Sequence, residues 1–159
     1  MENANPAHRL AIIMRGLPGS GKSRLARQWW QQHAAQYRSE QIICSTDDYF
    51  QQGTKYVFQP ELLPKYHALN LVKFIDGLQA GYPLVICDNT NMAAWEYLPY
   101  QRAAQALGYQ VKRILVGDPR NIGQQQQCAR ANRHQVTLDV IEQMAANFEA
   151  DQDKPFNPW

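Results

Sequence analysis

The sequence predicts an α/β fold: a parallel sheet of four to five strands with helices on both faces and a helical lid. Three observations predict it. Short apolar runs alternate with stretches of helical periodicity, glycine or proline separates most helices from the next run, and polar clusters follow the runs. Right-handed crossovers gather the segments after parallel strands on one sheet edge, where open α/β sheets bind ligands.

The elements follow in order. Leu10-Ala-Ile-Ile-Met14 is the first strand; it stops at Gly16, and a helix runs from Ser23 to Gln36. Gln41-Ile-Ile-Cys44 is the second strand, followed by Ser45-Thr46-Asp47-Asp48. A helix from about Glu61 to Ala80 carries Leu62, Leu63, Tyr66, Leu69, Phe74 and Ile75 at helical spacing, and Gly81-Tyr82-Pro83 ends it. Leu84-Val-Ile-Cys87 is the third strand, ending at Asp88, and a helix from about Ala94 to Leu107 stops at Gly108, a residue suited to a helix C-terminus. Val111 to Val116 is the fourth strand, with a turn at Gly117-Asp118-Pro119. Helices near 121–132 and 138–150 complete the fold, and the tail from Asp151 is expected to be a loop that packs through Phe156 and Trp159. Residues 10–150 are thus expected to be one domain, flanked by an extension over 1–9 and a tail over 151–159.

Composition bounds the function. The 159 residues leave room for one domain. A balance of 16 Lys+Arg against 14 Asp+Glu, formally +2, is too small to predict generic nucleic-acid binding. The longest apolar run, Leu10 to Met14, is far short of the ~20 residues a membrane span needs, and no cleavage-like site follows it. A soluble, cytoplasmic protein with no membrane partner is expected. Cys44, Cys87 and Cys128 are odd in number and irregularly spaced, fitting neither a disulfide framework nor a zinc site, and read as buried small hydrophobes. Four consecutive glutamines, Gln124 to Gln127, are too few for a low-complexity tract.

Gly16-Leu-Pro-Gly-Ser-Gly-Lys-Ser23 matches the phosphate-binding pattern G-x-x-x-x-G-K-[ST]. Chance gives such a match in roughly one chain in 200 of this length, and here a strand precedes it and a helix follows. The fold is therefore expected to be that of a P-loop NTPase. Glycines let successive N–H groups converge on phosphate oxygens, and the helix adds its positive end. Gly16, Pro18, Gly19, Ser20, Gly21, Lys22, Ser23 and Arg24 are the candidate ATP-binding residues. Lys22 can reach the β- and γ-phosphates, and the Ser23 hydroxyl can ligate Mg²⁺.

A nucleotide site leaves the reaction open. The third strand ends Asp88-Asn89-Thr90-Asn91 without the adjacent glutamate that motor-type hydrolases use to orient water, and no guanine-reading Asn-Lys-x-Asp element is present. A kinase needs a carboxylate to accept the acceptor's proton and cations to hold the transferring group. Asp47 is the candidate base, with a helix cap or turn as its plain structural role. Asp88 is a candidate Mg²⁺ contact or acceptor-orienting residue, against an Asx-turn; Asp48 and Asn91 are further acceptor-side candidates. Arg130 and Arg133, three apart near a helix end, are expected on one face, either as solvated charge or as a lid that meets the phosphates. Trp95, Tyr97 and Tyr100 either pack a helix or stack on a base, and Trp29-Trp30 read as packing.

Together the loop, Ser45-Thr-Asp-Asp-Tyr-Phe50, Asp88-Asn-Thr-Asn-Met-Ala-Ala-Trp-Glu96 with Pro99-Tyr100, Tyr56-Val-Phe58, His67 with Asn70, and Asn132-Arg-His-Gln-Val136 carry a resemblance. Over residues 10–149 the chain resembles a small P-loop kinase-like family, similar to the kinase domain of bacteriophage polynucleotide kinase and to a domain of certain ubiquitin-ligase-binding animal proteins. The resemblance implies transfer of the ATP γ-phosphate to a 5′-hydroxyl of DNA or RNA, with Asp47 as base, Asp88 at the acceptor and the basic helix as lid. Two positions depart from it. Phe50 stands where the phage enzyme has a basic acceptor-binding residue, and Arg130-Ala131-Asn132 stands where relatives often have Arg-Arg-Asn. A kinase of nucleosides, sugars or antibiotics, and an ATP-binding switch or adaptor with little catalysis, remain as alternatives.

Overall fold

A computed structural model describes residues 8–151; Phe156 and Trp159 lie outside them. Strand β1 (Leu10–Arg15) leads into helix α1 (Lys22–His33), a short α2 (Ser39–Ile42) and β2 (Ile43–Cys44). A 3₁₀ turn over Thr46–Phe50 precedes a hairpin of β3 (Gln51–Gln52) and β4 (Lys55–Tyr56), and a second 3₁₀ turn opens α3 (Leu63–Ala80). Then come β5 (Leu84–Asp88), α4 (Ala94–Ala106), β6 (Gln110–Leu115), α5 (Ile122–Ala131) and α6 (Leu138–Ala146).

The main sheet is parallel and four-stranded, in the order β2-β5-β1-β6. Strand β1 lies inside it, pairing from Leu10↔Leu84 to Met14↔Asp88 on one side and from Leu10↔Gln110 to Arg15↔Leu115 on the other. Because side chains alternate along a strand, its apolar run serves two cores. Ala11 and Ile13 pack with Phe74 and Leu78 of α3 and Tyr97 and Tyr100 of α4. Ile12 and Met14 pack with Ala26 of α1, Ala34 and Ile42. Leu17, Met92, Cys128, Ile141 and Ala145 form a third cluster joining the glycine loop to α5 and α6. The expected α/β sheet with helices on both faces is present, and all three cysteines are buried and free.

Several boundaries differ from expectation. The second run is half helix: the Gln41 side chain accepts from the Arg38 amide at 3.0 Å, a turn forms over Ser39–Ile42, and only Ile43 and Cys44 remain as strand. The last helix ends at Ala146 rather than 150, with Phe148 N–H bonded to Ala145 C=O. Arg130 and Arg133 do not share a helix face, because the Asn132 side chain ends α5. Its amide donates to the carbonyls of Cys128, Ala129 and Val136, and its oxygen accepts from the amides of His134 and Val136. An Asn side chain that competes this well for backbone partners stops a helix.

Candidate functional site at the carboxyl edge

The glycine loop joins β1 to α1, and its geometry suits an anion. Gly21 precedes the helix at φ 100°, ψ 12°, and no side chain caps the helix or places an acid in its first turn. The first helical N–H groups are thus left without a side-chain cap at the positive end of the helix. Gly19 sits at φ 83°, a conformation that glycine adopts at least cost. The Ser20 hydroxyl oxygen is buried without a partner. Lys22 is 8% exposed and donates to the Leu17 carbonyl at 3.1 Å; burial pushes its ammonium down from the usual lysine range, against the pull of Asp88 and Asp47.

Ser23 and Asp88 meet directly. The serine hydroxyl donates to Asp88 Oδ2 at 2.8 Å, while Asp88 Oδ1 is buried with no partner. Burial pushes the Asp88 carboxyl up, opposed by Lys22 and the Ser23 hydrogen bond. A hydroxyl beside a carboxylate with a spare buried oxygen is a donor set for a hard cation. Among the described residues no group of three or more His, Cys, Asp or Glu is gathered to cage a metal, so a cation here needs oxygens from elsewhere, as a nucleotide's phosphates provide.

The loop after β2 reaches the same edge. The Thr46 amide donates to Asn89 Oδ1 at 3.0 Å, tying it to the loop after β5, and Thr46 Oγ1 lies 3.1 Å from His67 Nδ1. Asp47 keeps half its side chain exposed and accepts from the Tyr56 hydroxyl at 3.1 Å. Asp48 faces solvent, yet partial burial, Asp88 and Asp47 push its carboxyl up, with Lys73 pulling the other way. Lys22, Asp47 and Asp88 are therefore close enough to act on one another electrostatically.

Other candidates fall differently. Asn91 is 2% exposed at φ 48°, and its amide donates to the Met14 carbonyl at 2.8 Å, which makes it a brace between β1 and the loop after β5. Arg24, Arg130 and Arg133 are exposed, the last two on α5 and the turn beyond it. Phe50 is buried against Tyr56, Phe58 and Tyr66, supporting the hairpin from beneath. Tyr97 and Tyr100 are core residues, whereas Trp95 is 75% exposed; Trp29 and Trp30 pack on the α1 side of the sheet. Sequence reasoning assigned nothing to Asn89 or Arg15. Asn89 belongs to the motif after the third strand, but its partner, a backbone amide 43 residues away, is visible only in three dimensions.

Helix α5 and the turn beyond it rest on the loop. A side-chain carbon at Gly19 would stand 2.6 Å from the Cys128 carbonyl and 2.9 Å from the Asn132 amide. Beside this contact, a cavity of about 220 Å³ opens between Leu17, Ser20, Gly117, Asp118, Gln127 and Cys128. Among the described residues no helix is long and apolar enough to cross a membrane.

Comparison with known proteins agrees with this architecture. The chain is 33% identical over 140 residues to human NEDD4-binding protein 2, covering 87% of this chain and 8% of that protein. It is 26% identical over 160 residues to human YLP motif-containing protein 1, covering 89% of this chain and 7% of that one. The chain thus spans under a tenth of either relative. Its fold is similar to chains in two structures of the Pnkp1/Rnl/Hen1 complex. The TM-scores are 0.56 and 0.55, at 15% and 18% identity, covering 92% and 78% of this chain and 46% and 40% of theirs. Residues 12–150 match the AAA_33 family of AAA domains. The chain belongs to that P-loop kinase-like family.

Proposed function

We propose that the chain is a Mg²⁺-dependent phosphotransferase that moves the γ-phosphate of ATP to a 5′-hydroxyl of DNA or RNA. The observation that carries this reading is the Ser23–Asp88 pair, with its unpartnered Oδ1, beside a buried lysine and within the field of Asp47. Ser23 and Asp88 would hold Mg²⁺, which would supply charge neutralisation on the phosphates. The loop amides and Lys22 bind and orient the triphosphate, and the cavity between the loop, the turn after β6 and α5 takes the nucleoside.

Asp47 accepts the proton of the acceptor hydroxyl as that oxygen attacks the γ-phosphorus. The bond from phosphorus to the β–γ bridging oxygen breaks, and ADP leaves with that oxygen. Arg130 or Arg133 offsets charge on the transferring group as the lid closes. The Pnkp1/Rnl/Hen1 structures, one of which is called an RNA repair complex, support a nucleic-acid acceptor through likeness of fold. A small hydroxyl acceptor is the second reading, favoured by Phe50, which is buried and brings no charge to the acceptor.

The test is γ-phosphate transfer from labelled ATP to a short 5′-hydroxyl oligonucleotide with Mg²⁺, beside Lys22→Ala and Asp47→Asn proteins. Label on the 5′ end that both variants lose is the expected result. Transfer at the wild-type rate by Asp47→Asn would remove Asp47 as the base. ATP binding without label on the oligonucleotide would overturn the polynucleotide acceptor. The salt dependence separates the acceptors: binding through several phosphates weakens steeply as salt rises, and a neutral small acceptor shows little change.

A further inference from the structure

At Asp47 the turn after β2 and the hairpin that follows it meet a segment almost 90 residues further on. Its Oδ1 accepts from the Tyr56 hydroxyl at 3.1 Å, and its Oδ2 lies 3.8 Å from His134 Nε2. Tyr56 belongs to the hairpin strand β4, and His134 to the turn that follows the lid helix α5. Their rings stack on each other, with centroids 3.8 Å apart and planes 25° off parallel.

Each half of this clamp is held from behind. Tyr56 meets the edge of buried Phe50, which also contacts Phe58 and Tyr66. On the lid side, the Asn132 oxygen accepts from the His134 and Val136 amides and fixes the turn. Neither of these bonds uses the His134 ring. Here Nδ1 is buried without a partner, and the ring's polar contact is with Asp47. At 3.8 Å that contact is too long for a hydrogen bond, so His134 acts on the carboxylate chiefly by fixing the Tyr56 ring, whose hydroxyl makes the bond.

We infer that Tyr56 and His134 are positioning residues for Asp47, and that seating of the lid and alignment of the base are one event because His134 rides on the lid turn. The inference rests on the phosphotransferase reading, in which Asp47 is the base. It adds the device that restricts the carboxylate to one orientation toward the acceptor, a restriction on which proton transfer depends.

The test compares Tyr56→Phe, His134→Ala, the double variant and His134→Phe, which keeps a ring on Tyr56. Tyr56→Phe and His134→Ala are each expected to lower kcat about tenfold, with KM for ATP and binding of a fluorescent ATP analogue unchanged. The double variant is expected to be no slower than the slower single one, since both act through one carboxylate. His134→Phe should recover most of the rate lost in His134→Ala. Wild-type kcat in Tyr56→Phe alongside an inert Asp47→Asn overturns the clamp and leaves the base standing; wild-type transfer by Asp47→Asn overturns both. Hydrogen exchange reads the coupling without turnover: His134→Ala is expected to raise exchange at amides 47–50 about tenfold, and unchanged exchange there overturns the link between lid and base.

Discussion

Arg15 Nη1 donates to Asp151 Oδ1 at 2.8 Å and so joins two residues 136 positions apart. The guanidinium is fully buried. It also donates to the carbonyls of Asn91, Met92 and Glu149 at 2.7–2.8 Å, with the rings of Tyr97 and Phe148 beside it. One side chain thus ties the end of β1, the loop after β5 and the chain beyond α6.

Removing it takes a charged donor from all four, although the Met92 carbonyl keeps the Glu149 amide and Asp151 keeps Arg113 at 3.2 Å. Arg15→Leu is expected to lower stability by about 3–5 kcal/mol in urea unfolding. Asp151→Asn is expected to cost about 1 kcal/mol or less, because Asp151 is 38% exposed and Arg15 keeps its carbonyl partners. Equal losses in the two variants would show that the ion pair, not the carbonyl bonds, holds the segment.

A variant at the Ser23–Asp88 bond tests whether the serine hydroxyl serves a metal or the phosphates. Ser23→Ala is expected to weaken ATP binding about tenfold in Mg²⁺ and to leave it unchanged in EDTA, as titration calorimetry would read. An equal loss under both conditions would assign the hydroxyl to the phosphates instead.

Gly19 reports on how α5 and the turn beyond it seat against the glycine loop. Gly19→Ala meets a left-handed backbone, costing about 1–2 kcal/mol, and a carbon 2.6 Å from the Cys128 carbonyl. A fall in Tm of about 2–8 °C and faster tryptic cleavage at exposed Arg130 and Arg133 are expected. Gly21→Ala is the control: φ is 100° but the space beside it is open, so the strain comes without the faster cleavage.

Burial pushes the Cys44 thiol up from 9.0 to about 12. The folded state therefore holds this proton more tightly than the unfolded chain. The associated stability is complete below about pH 9 and is lost as pH rises through about 12. Cys87, wholly buried, shifts in the same direction. Both thiols are expected to resist a thiol reagent at pH 8 until urea unfolds the chain; prompt reaction of two or more thiols in the native protein would contradict this.

How much of this was legible depended on whether a signal was local. Ala11-Ile-Ile-Met14 and Leu84-Val-Ile-Cys87 are continuous apolar runs because both strands are covered on two faces, and the glycine loop carries its own spacing. The β3–β4 hairpin left no such trace: two-residue strands around Gly53, largely exposed, have no periodicity to read. Arg15 drew no reading from the sequence, since its partners arrive from residues 91, 92, 149 and 151. Arg133 looked helical because three-residue spacing ignores a side chain able to stop the helix, and Asn132 was the available sign.

The place of β6 at the end of the sheet bears on how the molecule behaves when crowded. A strand with one open row of backbone donors and acceptors is a template on which another chain can add. Along β6, however, Gln110, Lys112 and Arg113 interrupt the apolar residues, and at the opposite end β2 offers only Ile43 and Cys44. Two copies meeting through β6 would have to accommodate Lys112 from each, Arg113 being paired with Asp151, while β2 is too short to seed a ladder. Both margins of the sheet therefore discourage edge-to-edge growth into fibres.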